Sequence, residues 1–266
     1  MFATTRIRAR SGNTIAVSVL GPDAPNPAAA AVFIHPINLR KEAWLGLVKD
    51  LCRQRPCISI DLAGHGESSD APAHSLQQWA DDCVDACQEL GVRSAHVVGG
   101  SLGGAIATAV ASDPSIQART LTALGSDLYS EEPADAFLDR LEAVGPEQLF
   151  REVAALSVAP DSDPSLLQTV ATLANSHGAA EVSKVWRATV VADARPHAAR
   201  VSCPALVLTG EYDTTCPPAG GREMAERLRG EHRLLDGVGH LPMLESSARI
   251  ATLLTNHFQL ADGQTL

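Results

Sequence analysis

Hydrophobic positions along the first half of the chain alternate between short continuous runs and helically spaced stripes. Four segments are rich in apolar residues, as is typical of strands buried on both faces of a sheet. They lie at residues 30–34, 56–60, 95–98 and 119–124. Between them, residues 42–53 and 75–90 place apolar side chains on one helical face, and Ser75 is a suitable N-cap. This alternation predicts a mostly parallel sheet covered by helices on both sides.

The remaining pattern predicts an opening hairpin and a helical insertion. Residues 4–10 and 14–20 flank a Ser-Gly-Asn turn, which indicates a β-hairpin, and a proline-rich connection follows at 21–27. From residue 133 to 191, apolar residues keep helical spacing in four stretches, and no strand is indicated. Strand and helix order then resumes, with predicted strands at 205–209 and 232–235 and predicted helices at 218–229 and 245–258.

These elements predict one α/β domain that carries an insertion. We expect residues 1–126 and 199–266 to form a core in which helices flank a mostly parallel central sheet. Residues 127–198 are expected to form a helical cap over that core. A chain of 266 residues can bury roughly three quarters of the surface that it exposes when unfolded, so its stability does not require disulfides or a structural metal.

The charge and the cysteine pattern argue against several classes of function. The formal net charge is −10, from 21 basic and 31 acidic residues, and such a surface repels nucleic-acid phosphates. The sequence has no signal-peptide core and no apolar run of about 18 residues, which predicts a cytoplasmic protein without a membrane span. Of the six cysteines, Cys83 and Cys87 share a helical face, but no second pair or histidine completes a zinc site. We therefore expect reduced, buried cysteines and no metal.

The segment Gly99-Gly100-Ser101-Leu102-Gly103 is the first candidate for chemistry. A β-branched run leads into it and a helical pattern of small residues follows, so Ser101 would lie on a sharp strand-to-helix turn. Glycines at 99 and 103 would let neighbouring backbone pass close to the serine. At the N-terminal end of a helix the hydroxyl becomes a candidate nucleophile, provided that a base activates it. The alternative is a glycine-rich turn with an incidental serine.

His240 and Asp213 are the candidates for that base and for its carboxylate partner. His240 lies in a glycine-containing loop after the last predicted strand, and Asp213 has the matching position one strand earlier. Loops at the carboxyl ends of parallel strands share one edge of the sheet, so both residues could reach Ser101. Three other acids remain open as the partner: Glu211, Asp236 and, after the strand that follows Ser101, Asp127.

The order Ser101, Asp213, His240 along the chain resembles that of the α/β-hydrolase superfamily. A second motif, Asp-Leu-Ala-Gly-His-Gly-Glu-Ser at residues 61–68, resembles the D-x-x-G-x-G-x-S loop after the fourth strand of that superfamily. The pattern is most similar to those of small, cofactor-free enol-lactonases, carboxylesterases and perhydrolases. The resemblance implies that no cofactor is used, and that His65 and Glu67 shape their loop and take no part in the reaction.

The resemblance also implies where an oxyanion would be held. One N–H donor would be that of Leu102, and the other that of Ile37, in the loop after the third strand. Related proteins usually carry His-Gly at the start of this loop, whereas this chain has His35-Pro36, and proline offers no N–H. We expect His35 to anchor the loop and Asn38 to point into the pocket and contact the substrate.

The sequence favours a serine hydrolase that cleaves a small or medium carboxylic ester or lactone through an acyl-enzyme. The same triad also serves carbon–carbon bond and thioester hydrolysis, and some relatives are ligand sensors with little turnover. The expected partner is a small molecule, with no nucleic acid and no membrane, and the sequence leaves open whether the protein is a monomer or a homodimer. Trp44 and Trp186 are candidates for lining a site, but each also fits the core face of its helix, so we expect both in the core.

Overall fold

The computed structural model describes residues 3–21, 29–130 and 133–263. In these ranges the strands are β1 (Thr4–Arg8), β2 (Thr14–Leu20), β3 (Ala30–Ile34), β4 (Cys57–Ile60), β5 (Ser94–Gly100), β6 (Gln117–Leu124), β7 (Ala205–Gly210) and β8 (Glu231–Leu235). The helices are α1 (Leu45–Leu51), α2 (Leu76–Glu89), α3 (Leu102–Ala111), α4 (Asp135–Leu156), α5 (Pro164–Leu173), α6 (Ala179–Thr189), α7 (Arg195–Ala198), α8 (Pro218–Leu228), α9 (Pro242–Glu245) and α10 (Ser247–Ala261). No helix within the described ranges is long and apolar enough to cross a membrane. Most of the proline-rich connection predicted at 21–27 lies outside the described residues.

The strands form one sheet in the order β1-β2-β4-β3-β5-β6-β7-β8. The β1–β2 hairpin and the β2–β4 pair are antiparallel, and the pairs from β4 onward across the sheet are parallel. Every residue of β3 and β4 is buried, because helices cover both faces of the sheet. The predicted mostly parallel sheet with helices on both faces is confirmed. Because β3 to β8 run parallel, the loops that follow these strands lie at one edge of the sheet.

Alternate residues of β3 divide the core into two layers. Val32 and Ile34 pack with α2 and α3 on one face of the sheet, whereas Phe33 packs with α1 and α10 on the other. Trp44 is fully buried in the second layer, with its ring centroid 5.4 Å from that of Phe33. The prediction that Trp44 belongs to the core is therefore confirmed.

Two predicted helices begin or continue differently in the structure. The helix predicted at 42–53 starts as a 3-10 turn over Lys41–Trp44 and becomes α-helical only after it. This turn is held by the carboxylate of Asp61, which accepts the backbone N–H of Lys41 at 2.7 Å and its ammonium group at 2.8 Å. The helix predicted at 245–258 corresponds to α10, and the short helix α9 that precedes it is not indicated by the sequence pattern. Long-range contacts of this kind leave no trace in hydrophobic periodicity.

The segment between β6 and β7 is helical, as predicted. In α4, Gly145 takes a φ of 76° and Pro146 follows it, so this helix is broken into two and four long helical stretches result. The pieces share a small apolar cluster of their own, formed by Leu141, Leu149, Phe150 and Val182. We refer below to residues 133–198 as the helical segment.

Polar contacts fasten the helical segment to loops at the carboxyl edge of the sheet. The backbone N–H of Asn175 donates to the carbonyl oxygen of Asn38 at 2.7 Å, and its side-chain amide donates to the carbonyl oxygen of Gly64 at 2.8 Å. Glu181, in α6, accepts the N–H of Ala71 at 2.9 Å. These contacts place the helical segment over the edge at which the loops after the strands meet.

Candidate active site

Ser101 lies between the end of β5 and the first residue of α3, with φ 51° and ψ −127°. This positive φ is uncommon for a residue with a side chain, and it turns the chain sharply from strand into helix. Only glycine fits beside it: a methyl group at Gly103 would lie 2.4 Å from the carbonyl oxygen of Ile34, and one at Gly99 would lie 2.0 Å from that of Gly103. Ser126 Oγ donates to the carbonyl oxygen of Ser101 at 2.7 Å and holds the turn in place.

Side chains from three separate loops form a continuous hydrogen-bonded chain at this edge. His240 Nε2 lies 3.0 Å from Ser101 Oγ. On the other side of the ring, His240 Nδ1 lies 3.0 Å from both carboxylate oxygens of Asp213. A carboxylate that accepts the Nδ1 proton leaves Nε2 free to accept the hydroxyl proton. All three residues are buried, with exposed fractions of 3% for Asp213 and 6% for Ser101 and His240.

Asp213, and not another of the acids left open by the sequence, faces the imidazole. Its Oδ1 also accepts two backbone N–H groups of the following turn, at 2.8 and 3.0 Å, which stabilise the ionised carboxylate. Glu211 instead accepts a backbone N–H in the loop after β8 at 2.9 Å. Within the described ranges, neither Asp127 nor Asp236 makes a hydrogen bond to the His240 ring.

Glu245 holds the loop that carries His240. Its two carboxylate oxygens accept the N–H groups of the residues before and after His240, at 2.8 and 2.9 Å, and the N–H of Ala159 at 2.8 Å. The N–H of His240 itself donates to the carbonyl oxygen of Ser157 at 2.9 Å. Because Ser157 and Ala159 follow α4, the helical segment contacts the His240 loop directly.

His35 anchors the loop that follows β3, as expected. Its Nε2 accepts the N–H of Leu62 at 3.0 Å, so Nδ1 carries the proton and donates to the carbonyl oxygen of Pro36 at 2.8 Å. Burial lowers the pKa of His35 and keeps its ring neutral. The His35–Pro36 peptide bond is trans. The chain therefore follows one fixed path from His35 through Pro36 to Ile37.

Two backbone N–H groups beside Ser101 are available as donors, those of Ile37 and Leu102. Both residues line the cavity described below. Leu102 is the first residue of α3, so its N–H has no intrahelical acceptor, and no backbone acceptor for the Ile37 N–H is found in the described part of the chain. Asn38 is placed differently: it is buried with a φ of 66°, its carbonyl oxygen contacts Asn175, and it does not line the cavity.

The loop at residues 61–68 is built around a buried ion pair. The ammonium of Lys41 lies 2.8 Å from Asp61 and 2.6 Å from Glu67. His65 is buried beside His35, and burial holds its pKa well below the ordinary range, so this ring is neutral. Its Nδ1 donates to the carbonyl oxygen of Ala63 at 3.2 Å. None of these side chains lines the cavity beside Ser101.

A cavity of about 310 Å³ opens beside Ser101, a volume at the lower end of the range for small-molecule sites. Its apolar wall includes Leu128, Val190 and Met224. The prediction that Trp186 belongs to the core is wrong, because its side chain lines this cavity. Val182 and Val185 on the same apolar face of α6 are fully buried in the core, whereas Trp186 is only partly buried and meets the cavity.

Metal-binding and thiol chemistry have little support at this site. Within the described ranges, no group of three or more His, Cys, Asp or Glu side chains could hold a metal ion. The six cysteines are free thiols. Burial raises the pKa of Cys87 to about 12, and it raises the pKa of Cys216, which lines the cavity, well above the ordinary value. These thiols stay protonated at neutral pH, which makes them poor nucleophiles and ligands.

The sequence does not predict the roles of two side chains at the site, Glu245 and Asp127. Glu245 follows a helix-starting proline, and only its position a few residues after a loop histidine hints at a contact with the loop. Asp127 is visible in the sequence as an alternative acid, yet it lines the cavity. Its position at the end of the strand next to that of Ser101 is the signal that could identify it as a pocket residue.

The chain is similar in sequence to known hydrolases. Residues 31–253 match the model of the alpha/beta hydrolase family. A 3-oxoadipate enol-lactonase of Acinetobacter baylyi is 25% identical over 252 residues, which cover 92% of this chain and 93% of that protein.

Solved structures show the same fold. An enol-lactonase from Burkholderia xenovorans superposes with a TM-score of 0.88 at 20% identity, over 96% of this chain and 100% of that chain. A thermophilic esterase from Thermogutta terrifontis gives a TM-score of 0.86 at 22% identity, over 97% of this chain and 99% of that chain. At these identities the two likenesses establish the architecture, whereas the activity must be argued from the site.

Proposed function

The chain belongs to the alpha/beta hydrolase family, and on this premise we propose that it is a serine hydrolase that cleaves carboxylic esters or lactones. The observation that carries the proposal is the buried hydrogen-bonded chain from Ser101 through His240 to Asp213, beside a cavity. Ser101 is the proposed nucleophile, His240 the general base and Asp213 the acid that orients it. Residues 127–198 are the proposed cap over this site.

The geometry supports a two-step acyl transfer. Ser101 Oγ attacks the carbonyl carbon while His240 Nε2, at 3.0 Å, takes the hydroxyl proton. The imidazolium that forms is stabilised by Asp213 and then gives its proton to the leaving alcohol oxygen, so the ester C–O bond breaks and an acyl-serine remains. A water molecule, deprotonated by the same imidazole, attacks the acyl carbon, releases the carboxylic acid and restores the Ser101 hydroxyl.

The charge that develops on the carbonyl oxygen needs preorganised donors. Ile37 and Leu102 line the same cavity as Ser101, and their backbone N–H groups are the proposed oxyanion hole. Leu102 begins α3, so the partial positive charge of the helix N-terminus adds to its N–H. His35 supports the other donor, the N–H of Ile37, because its two hydrogen bonds hold the loop that contains Ile37.

Esters and lactones are the substrate class that the family and the cavity together favour. The similar proteins include an enol-lactonase and an esterase. The cavity beside Ser101 holds about 310 Å³, room for a small or medium acyl or alcohol group. The proposed steps use only the side chains and N–H groups named above, and no cofactor takes part in them.

The test is turnover of a panel of p-nitrophenyl esters, lactones and thioesters by wild type and Ser101→Ala. We expect hydrolysis of at least one ester or lactone, and a loss on the order of 10⁴-fold or more in kcat for Ser101→Ala. Ser115→Ala, at an exposed serine just after α3, is the matched control and should retain wild-type turnover. Undiminished turnover by Ser101→Ala would contradict the proposal. Tight ligand binding without turnover would instead indicate a sensor.

A further inference from the structure

Two polar atoms in the wall of the cavity have no hydrogen-bond partner in the described part of the chain. They are Oδ1 of Asp127 and Nε1 of Trp186, both of which are buried. A buried polar atom left without a partner costs about 1–3 kcal/mol, so such atoms are rare unless a ligand or water completes them. One is an acceptor and the other a donor, and the rest of the wall is largely apolar.

We propose that Asp127 and Trp186 form a specificity site for an uncharged group that both donates and accepts hydrogen bonds, a hydroxyl or a primary amide on the substrate. The group would donate to the carboxylate of Asp127 and accept from the indole N–H of Trp186. This inference rests on the proposed ester or lactone hydrolysis, since it names the kind of substrate that the same site takes.

The surroundings of Asp127 provide space for a carboxylate in the cavity wall. A methyl group at Gly220 would lie 2.0 Å from Asp127 Oδ1, so any larger residue at this position of α8 would displace the carboxylate. Burial raises the pKa of Asp127 to about 6, with the Cys216 thiol lowering it and the charge of Asp213 raising it. Asp127 is therefore largely ionised at neutral pH, although the fold stabilises its charge poorly.

The indole of Trp186 is held in position by packing. Its ring stacks on that of Phe137, with centroids 3.7 Å apart and planes 11° apart. This contact comes from α4, so two helices of the helical segment cooperate to present the indole to the cavity. Stacking uses the faces of the ring and leaves the N–H at its edge unpaired.

The charges of the wall decide which substrates are excluded. The residues that line the cavity include two acids, Asp127 and Glu223, and no lysine, arginine or histidine in the described ranges. Glu223 is paired with Arg227 at 2.8 Å, whereas Asp127 has no cationic partner within hydrogen-bonding distance among the described residues. A carboxylate on the substrate would therefore meet an unpaired like charge. An ammonium group would pair with Asp127 but offers no acceptor to the indole.

The experiment compares esters that differ only in a terminal group: methyl, hydroxyl, primary amide, carboxylate or ammonium at the same chain length. One series carries the group on the acyl side, with p-nitrophenol as the leaving group, and a second carries it on the alcohol side. In at least one series, we expect the hydroxyl or amide ester to exceed the methyl and carboxylate esters in kcat/KM by about ten-fold or more, since a factor of ten corresponds to one hydrogen bond of about 1.4 kcal/mol.

Three variants assign the preference to the named atoms. Asp127→Leu and Trp186→Phe each remove one polar partner, and Gly220→Ala displaces the carboxylate without changing it. Each should lower the ratio of kcat/KM between the hydroxyl and methyl esters by at least about five-fold, because using a ratio cancels effects shared by all substrates. Asp139→Asn, at an exposed carboxylate of α4, is the matched control and should leave the ratio unchanged.

The outcomes separate this inference from the proposed function. Equal turnover of the hydroxyl, carboxylate and methyl esters, with every reaction abolished in Ser101→Ala, would overturn the specificity site and leave the hydrolase intact. A preference that persists in Asp127→Leu and Trp186→Phe would also overturn it. If no ester in either series is hydrolysed and no activated serine is found, both the proposed function and the inference fail.

Discussion

The backbone N–H of His240 donates a hydrogen bond to the carbonyl oxygen of Ser157 at 2.9 Å. Ser157 follows α4 and so belongs to the helical segment. This segment therefore helps to hold the loop that carries His240, the proposed base. Glu245 reinforces this contact between the helical segment and the His240 loop. One of its oxygens accepts the N–H of Ala159 from the segment and the N–H of Gly239 from the loop, each at 2.8 Å. The position of the His240 imidazole therefore depends on the position of the helical segment relative to the sheet.

Replacement of Glu245 by alanine should lower kcat about ten-fold or more with a smaller change in KM. The substitution leaves three backbone N–H groups without their acceptor, at about 1 kcal/mol or more each, and releases the loop that aims His240. Steady-state kinetics on a cleaved ester and urea unfolding would measure both effects. Glu245→Gln keeps one acceptor oxygen and should lie between the alanine variant and wild type.

The matched control for this prediction is Glu226→Ala, at an exposed position of α8. It should change neither kcat nor the free energy of unfolding by more than about 0.5 kcal/mol. Wild-type kcat in Glu245→Ala, together with a loss of stability, would show that Glu245 is purely structural and does not position His240.

Asp213→Asn should reduce kcat by about 10³–10⁴-fold. The carboxylate that contacts His240 Nδ1 at 3.0 Å selects the tautomer in which Nε2 accepts a proton, and an amide at this place does not. Asp127→Asn should cost less than about ten-fold on a methyl-terminated ester, because Asp127 does not contact the imidazole in the described structure. Comparable losses in the two variants would mean that the proton relay runs through both acids.

Asp127→Asn should stabilise the protein at pH 8 and lose this advantage in acid. The pKa of Asp127 in the folded chain is raised to about 6, by burial first and then by neighbouring charges, whereas a free aspartate titrates near 4. The folded state therefore binds the proton more tightly, and the stability of wild type falls as pH rises from about 4 to 6. Above about pH 6 the full cost of the buried charge is present, and asparagine removes it.

Urea unfolding at pH 8 and at pH 4.5 would measure this difference. The charged and titratable groups around Asp127 are Cys216, Asp213, His240 and Glu223, and they are common to both proteins. The exposed Asp139→Asn variant should show no such pH dependence. A variant that is less stable than wild type at pH 8 would show that the Asp127 carboxylate contributes to the fold.

Gly103→Ala should damage the turn at Ser101 severely. An added methyl group would lie 2.4 Å from the carbonyl oxygen of Ile34, and backbone on both sides prevents an easy shift. We expect a loss of about 2 kcal/mol or more in the free energy of unfolding, together with loss of activity. Gly178→Ala is the control, because a methyl group there meets nothing within 4 Å, and it should cost less than about 1 kcal/mol.

Features that depend on local pattern could be predicted from the sequence. The structure gives β3 the predicted bounds of 30–34, because a continuous apolar run flanked by turn residues has few alternatives in a doubly covered sheet. The turn at Ser101 was predictable for the same reason, since a strand, two glycines and a helix of small residues leave the chain one sterically allowed path. Ser75 caps α2 as expected, accepting the N–H of Gln78 at 3.1 Å.

Features that depend on which distant part of the chain packs against a helix or loop could not be predicted. Helical periodicity identifies the apolar face of α6, but it does not tell which of its residues meet the packed core, as Val185 does, and which meet a cavity, as Trp186 does. Asn38 is predicted to point into the pocket, yet it does not line the cavity, and its backbone carbonyl oxygen pairs with Asn175, which is far away in the sequence. Both outcomes depend on the path of the helical segment, which no single motif encodes.

The most direct test of the central claim is labelling by a fluorophosphonate probe, followed by intact mass and peptide mapping. The probe reports an activated serine without any choice of substrate, because only a serine with a base and an oxyanion site attacks phosphorus rapidly. Wild type, Ser101→Ala and His240→Ala would be labelled side by side, with folding checked by circular dichroism. We predict rapid modification of wild type at Ser101 alone and none in either variant. A folded wild-type protein that stays unlabelled, or that is labelled equally in His240→Ala, would contradict the account.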